Sequence, residues 1–200
     1  MWPIRDVWQR PLADPGAVAT APVATSSAPG LQPPPPRPRK NQWQSAAAPA
    51  ILLPVKHLLC KVPIFAGLDD KALTILLEHA ERTTIPADGV IAREGEVSNC
   101  MYVIETGEVR IIKNLDTPDA VQLAVLGPGE FFGEMCILET LPRSATGQAA
   151  GPATVVSVAS SAFYHLYRRM PKQHSILLLN LARDLSRRLR HLDEVFAARH

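Results

Sequence analysis

Cysteine is scarce: three residues in 200, at positions 60, 100 and 136, with no Cys-x-x-Cys pair. A structural zinc site needs clustered thiolate or imidazole ligands, so this spacing argues against one. Three unbridged thiols fit a reducing, cytoplasmic setting. The N-terminus lacks a charged segment followed by an apolar one, so no secretory leader is expected. Long hydrophobic runs are also lacking. The longest, residues 46–55, is broken by Pro49 and Pro54 and is too short to span a bilayer. Aromatic residues are few at 6%, and all three tryptophans (Trp2, Trp8, Trp43) lie in the first 50 residues. The tryptophans are therefore expected outside the core, whereas Phe65, in the turn before the first strand, reads as buried.

Charge is nearly balanced at +2 but unevenly spread. Residues 1–50 carry five basic and two acidic side chains, residues 51–160 eight and fourteen, and residues 161–200 eight and three. The middle is acidic, so a phosphate-binding arginine there would be a local exception. The basic C-terminal segment leaves nucleic acid as a lower-ranked partner, through phosphate contacts. A solvated helix face accounts for the same charges.

Proline marks the first boundary. Residues 1–50 hold eleven of the nineteen prolines. Such a segment cannot bury enough apolar surface to offset its ordering entropy, and is expected to be a disordered tail with polyproline II character near Pro33–Pro38. Residues 51–81 read as helical. The spacing predicts helices over Val55–Cys60 and Asp69–Ala80, with Asp69 as N-cap.

From residue 82 to 159 the pattern changes. Runs rich in Val, Ile and Thr recur at 82–85, 90–93, 101–104, 108–113, 121–126 and 154–158, separated by Gly, Pro, Asp and Asn. Short strands at this spacing predict an antiparallel sandwich or barrel. Ile104-Glu-Thr-Gly-Glu-Val109 reads as a tight hairpin, with Gly107 supplying a positive φ. After residue 160 the chain is helical again. A helix over Ser161–Met170, capped by Ser160 or Ser161, is interrupted by Pro171. A longer helix follows to about residue 198, with Leu178, Leu181, Leu185, Leu189, Leu192 and Phe196 as an apolar stripe. That stripe can pack on a sheet or on a second copy of the chain, and a homodimer is expected.

The six histidines all lie outside the predicted strands. This argues against a metal-binding barrel of the cupin kind and leaves no paired acid and base, so no enzyme is expected.

The chemistry concentrates in residues 129–146. Gly129 and Gly133 let backbone N–H groups approach an anion. Glu134 to Leu138 can form one helical turn, with Met135 and Cys136 supplying N–H groups. Arg143 can grip a phosphate with its planar fork, and Ser144 and Thr146 can add hydroxyl contacts. Glu134 would repel a phosphate, so it must face another group. A carboxylate only accepts, and a sugar hydroxyl is a suitable donor. The site thus asks for phosphate and sugar in one ligand. An alternative on the same residues is a surface turn in which Arg143 pairs with Glu134 or Glu139.

The stretch Phe132-Gly-Glu-Met-Cys-Ile-Leu-Glu-Thr-Leu-Pro-Arg-Ser-Ala-Thr146 resembles the phosphate-binding cassette of the cyclic nucleotide-binding domain family. That family includes the catabolite activator protein and the regulatory subunits of cAMP-dependent protein kinase. Three further stretches match in order: Val62-Pro-Ile-Phe-Ala-Gly-Leu68, Arg93-Glu-Gly-Glu96 and Met101–Val109. The resemblance covers roughly residues 55–197. It implies an α+β, mainly β fold: an antiparallel β-roll (a jelly-roll-like double-stranded β-helix) over 82–159. N-terminal helices at 51–81 and two C-terminal helices over 160–198 would flank it.

The same resemblance implies a ligand site of Gly133, Glu134, Met135, Cys136, Arg143, Ser144 and Ala145, with Glu134 on the ribose and Arg143 on the cyclic phosphate. The ligand would be cAMP ahead of cGMP, with no metal. A purine lid would come from the last helix, with Asn180, Arg183 and Arg187 as candidates. Gly147 departs from the family pattern, which has a β-branched residue there, and a loosened strand is expected after the cassette. No helix-turn-helix follows before His200. The expectation is a stand-alone sensor that moves its C-terminal helices and signals to a protein partner. A ligand-independent dimerisation module and a nucleic-acid-binding regulator are the alternatives.

Overall fold

A computed structural model of the chain describes residues 45–47, 55–78, 80–139 and 141–198. The proline-rich run and the tryptophans of the expected tail lie outside the described residues. Within that expected tail, Ser45–Ala47 forms a short edge strand, β1, paired with the strand that opens the roll.

A helix whose described part is 55–59 (α1) leads through a 3-10 turn at Pro63–Phe65 to α2, Asp70–Leu77. Asp69 caps α2 as expected, its carboxylate accepting from the Ala72 N–H at 2.9 Å. That satisfies one of the donors a helix start leaves open, an arrangement that typically stabilises by about 1 kcal/mol. Leu73, Ile75, Leu76 and Leu77 turn inward.

Eight strands build the roll: β2 Glu81–Ile85, β3 Val90–Ala92, β4 Cys100–Thr106, β5 Val109–Lys113, β6 Val121–Leu126, β7 Phe131–Phe132, β8 Thr146–Ala149 and β9 Ala153–Ala159. With β1 they form two antiparallel sheets, ordered β1-β2-β9-β4-β7 and β3-β8-β5-β6. The six expected strands are present, Val121–Leu126 with the expected ends and the other five with shifted ones. Gly107 closes the β4–β5 hairpin at φ +79°, and a Cβ there would lie 2.5 Å from the Pro152 carbonyl.

Two strands of the roll escaped the sequence pattern, β7 and β8. The second corrects the expectation for Gly147. The segment after the cassette is not loosened, for β8 pairs with both β3 and β5. The glycine is there for packing: a Cβ at 147 would meet the Phe132 ring at 2.6 Å. That ring in turn stacks on Tyr102, with centroids 5.1 Å apart.

The core has two parts, and the two-residue period of β4 and β9 sorts their side chains between them. Met101, Val103, Val156 and Val158 face α1, α2, α4 and α5, whereas Ile104, Val155 and Ala153 fill the space between the sheets. The C-terminal helices are α4, Ser160–Arg169, and α5, Pro171–Ala197. Neither serine caps α4. Ala159 holds the N-cap position without a side-chain bond, and the Ser160 N–H donates to the Asn99 carbonyl at 2.6 Å. Pro171 opens α5, where its missing N–H costs nothing. The leucine stripe of α5 divides: Leu181 is buried and Leu185 partly so, whereas Leu178, Leu189, Leu192 and Phe196 are exposed.

Candidate functional site

The cassette runs from the end of β7 through α3, Met135–Leu138, to the start of β8. Gly133 turns the chain into α3 at φ +76°, a conformation side chains other than glycine rarely adopt. The need for glycine is also steric, because a Cβ there would fall 1.9 Å from Arg143 Nη1. Gly129 has a different task from the one expected. Its N–H donates to the Ile104 carbonyl at 2.8 Å, joining the approach of β7 to β4.

Glu134 and Arg143 are two of the four buried polar or charged residues among those described, 4% and 8% exposed. Leaving a charge in an apolar interior is expensive without partners, so the partners define what the site does. Arg143 is held by the roll. Nη1 donates to the Gly133 carbonyl at 3.1 Å, and Nη2 to the Cys100 carbonyl at 2.5 Å and to Ser98 Oγ at 2.7 Å. The Tyr102 ring lies beneath the guanidinium, 5.3 Å from centroid to Cζ. Cys100 Sγ is 3.8 Å from Nη2. Burial, and then the neighbouring Cys100, push the Tyr102 phenol well above its ordinary range. The main chain of Arg143 is fixed as well: its N–H donates to the Glu96 carbonyl and its carbonyl accepts from Gly95 N–H, both at 2.9 Å.

Glu134 is held from elsewhere. Arg188, on α5, donates from Nη1 to Glu134 Oε1 at 2.6 Å, and its Nε lies 2.8 Å from Asp184 Oδ2 on the same helix. The Arg188 guanidinium also stacks over Phe131, 4.8 Å from the ring centroid. The helix thus grips the cassette at the carboxylate expected to meet the ribose.

The other predicted residues sort clearly. Ser144 is exposed, its Oγ 3.9 Å from Met135 Sδ, and its carbonyl accepts from Lys113 Nζ at 2.9 Å. Lys113 also pairs with Glu94, whose carboxyl it holds below the usual range through a side-chain hydrogen bond. Met135 is 44% exposed, and Ala145 is half-buried between Ser144 and β8. The side chain of Cys136 lies outside the described set. Thr146 is not available to a ligand, being 2% exposed with its hydroxyl accepting the Glu94 N–H.

The expected lid residues lie away from the cassette in this structure. Asn180 donates to the carbonyls of Ile64 and Ala66 at 3.2 and 2.8 Å, tying α5 to the 3-10 turn rather than to the cassette. Arg183 and Arg187 are exposed and line, with Ala182, Ser186 and Arg190, a shallow groove on α5. Arg188 reaches the cassette instead.

The missed residues left signals. Ser98, Cys100 and Tyr102 share one side of an extended segment by the two-residue period. Arg188 lies seven residues beyond buried Leu181, on the same helix face. Among the described residues no group of His, Cys, Asp and Glu could hold a metal, and no helix is long and apolar enough to cross a membrane.

Known proteins resemble this chain in sequence and fold. Residues 82–170 match the family described as cyclic nucleotide-binding domain. The Cyclic AMP receptor protein of Thermus thermophilus is 32% identical over 131 residues, 66% of this chain and 59% of that protein. A cyclic nucleotide-binding domain from Methylobacillus flagellatus superposes with a TM-score of 0.64 at 25% identity, over 76% of this chain and 86% of that one. The regulatory domain of Toxoplasma gondii PKA, solved with cAMP, superposes with a TM-score of 0.51 at 27% identity, over 55% and 42%. The chain therefore spans little more than half of the curated receptor it matches. With its roll, cassette and flanking helices in place, this chain belongs over residues 82–170 to the cyclic nucleotide-binding domain family.

Proposed function

We propose that this chain is a non-catalytic cyclic nucleotide sensor that prefers cAMP to cGMP and signals through α5. The observation that carries the reading is a cassette holding one buried carboxylate and one buried guanidinium, separated by a single helical turn. Arg143 would grip the exocyclic phosphate oxygens with its charged fork, and Glu134 would accept from the ribose 2′-hydroxyl. The preference for cAMP rests on Ser144 beside Arg143, and it is supported by the named ligands of the Thermus receptor and the Toxoplasma regulatory domain.

Signalling follows from the contact between Arg188 and Glu134. A ligand shifts an equilibrium only by its differential affinity for the two states. A ribose hydroxyl that engages Glu134 changes what Arg188 gains from the same carboxylate, so occupancy is felt at α5. The exposed Leu178, Leu189, Leu192 and Phe196 would then seat a second copy, and a protein partner would read the helix position.

Calorimetric titration with cAMP and with cGMP tests the reading. Saturable heat with cAMP, and weaker binding of cGMP, is the expected result. No heat with either nucleotide at millimolar concentration overturns it. Sedimentation equilibrium tests the dimer, which Leu189→Glu with Leu192→Glu should disperse.

A further inference from the structure

The C-terminal helices carry more basic charge than their surroundings neutralise. Residues 161–200 hold eight basic and three acidic side chains. Arg188 is paired with Glu134 and Asp184, and Arg169 with Glu78. Arg183, Arg187 and Arg190 differ, for all three are exposed. Among the described residues, Arg183 has no ion pair, and Arg190 reaches only the Ser186 hydroxyl, at 3.5 Å. Arg187 meets Asp184 at 3.5 Å, a carboxylate that Arg188 approaches more closely, at 2.8 Å. The spacing 183, 187, 190 sets these arginines in a row on one side of α5, about 10 Å from first to last at 1.5 Å per residue. By the same period the row turns away from the buried face of Leu177 and Leu181 and from the exposed leucine stripe. A second copy seated on that stripe would leave the row uncovered. Beside the row stand Ala182 and Ser186, one turn apart, and their small side chains floor a groove of about 390 Å³.

We propose that this groove docks an acidic helical segment of a protein partner, one that presents carboxylates at three- and four-residue spacing to Arg183, Arg187 and Arg190. The inference gives the chemistry of the partner in the sensor reading above, and it rests on that reading for what the contact reports. A helix fits because the row runs along the axis of α5. The small floor residues also let a second helix approach closely, as a ridge enters a groove. Carboxylates fit because each planar guanidinium fork can take one in a bidentate grip. A long polyanion fits less well. Residues 51–160 carry eight basic and fourteen acidic side chains, so nucleic acid or an anionic membrane extending past α5 meets charge of its own sign. Asp193 and Glu194, both exposed, follow the row and set the same limit at its C-terminal end. A short acidic helix can touch the arginines alone.

The probe is a labelled alanine-based peptide helix with glutamates at i, i+4 and i+7, titrated with the full chain by fluorescence anisotropy without nucleotide. Saturable binding is expected, weakening as salt rises from about 0.1 to 1 M. The triple variant Arg183→Ala, Arg187→Ala, Arg190→Ala should lose about tenfold in peptide affinity, with the melting temperature reporting that it is folded. A peptide with glutamine for glutamate, or with its glutamates spread around the helix, should bind about tenfold more weakly than the probe. Arg183→Glu with Arg190→Glu supplies a second variant, which should prefer the lysine version of the peptide to the glutamate one. No binding of the glutamate peptide at millimolar concentration overturns the proposal. So does an affinity unchanged in the triple variant, or equal binding of the control peptides. Duplex DNA or phosphatidylserine vesicles held through the same arginines more tightly than the peptide also overturn it, by replacing the occupant. A chain that binds the peptide through these arginines but binds no cyclic nucleotide overturns the sensor reading and leaves the docking site in place.

Discussion

The two charged ends of the cassette are held in different ways. Arg143 is anchored inside the roll, by the loop before β4 and by Gly133. Glu134 is anchored from outside it, by Arg188 on α5. The proposed phosphate end therefore belongs to the roll, and the proposed ribose end belongs partly to α5, the helix through which signalling is proposed. A sensor needs this asymmetry: one end to capture ligand irrespective of state, and one whose contacts differ between states.

The largest expected effect lies at the phosphate end. Arg143→Ala would remove the proposed charged grip on the phosphate. Hydrogen bonds to charged groups contribute about 1.5–3 kcal/mol each, so cAMP affinity should fall by about a hundredfold or more in calorimetry. An arginine that served only as a ligand contact would leave the melting temperature without ligand nearly unchanged on its loss. The burial of Arg143 at 8% exposure leads to a different expectation. The alanine variant strands the acceptors on Gly133, Cys100 and Ser98, so the domain should also melt several degrees lower without ligand. Full affinity in Arg143→Ala would remove the distinction between the ends altogether.

Gly133→Ala probes the same end by steric means. The new methyl would collide with a flexible guanidinium rather than with backbone, so Arg143 yields before the fold does. The left-handed φ adds about 1–2 kcal/mol of strain. We expect a loss of about tenfold in cAMP affinity with a modest fall in melting temperature. A variant that binds normally would mean that the arginine fork tolerates reorientation.

At the ribose end the effect should be smaller and of a different kind. Arg188→Ala leaves phosphate binding in place and frees Glu134 from its helix partner. The ratio of affinities for cAMP and 2′-deoxy-cAMP reports on Glu134 alone. That ratio should change by about three- to tenfold in Arg188→Ala, and collapse in Glu134→Ala. Amide exchange over 184–197 should quicken in Arg188→Ala, with exchange in β4 and β9 unchanged. Equal effects on both nucleotides would place Arg188 outside the ribose subsite.

What the sequence revealed follows the range of the contacts. Six strands were legible because β-branched runs and glycine punctuation are local signals. β8 was not, since Thr146-Gly-Gln-Ala149 has a single β-branched residue and owes its strand state to partners on both sides. Glu134 and Arg143 were legible because their spacing lies within one segment. Ser98 and Arg188 were not: their contacts with the cassette span 45 and 54 residues. Four arginines lie between 183 and 190, and composition does not say which one faces the roll. Helix rotation decides it, and Leu177 and Leu181 set that rotation by burying their side chains. Asn180 and Arg187 do lie on one face, as the spacing suggests, but it is not the face turned to the cassette.

The placement of Asn180 supplies the smallest effect. Asn180 holds α5 on the 3-10 turn through two carbonyls, so Asn180→Ala should cost about 1–2 kcal/mol in stability, seen as a lower urea midpoint with an unchanged slope. A purine-lid residue would behave otherwise, altering the ratio of cAMP to cGMP affinity with little effect on stability. The structure favours the first outcome because the Asn180 amide already has two acceptors in the N-terminal segment. A change in the nucleotide ratio would mean that α5 rotates on binding far enough to carry Asn180 to the base. The ribose end would then be more mobile than its contact with Arg188 implies, and the contrast between the two ends sharper than drawn above.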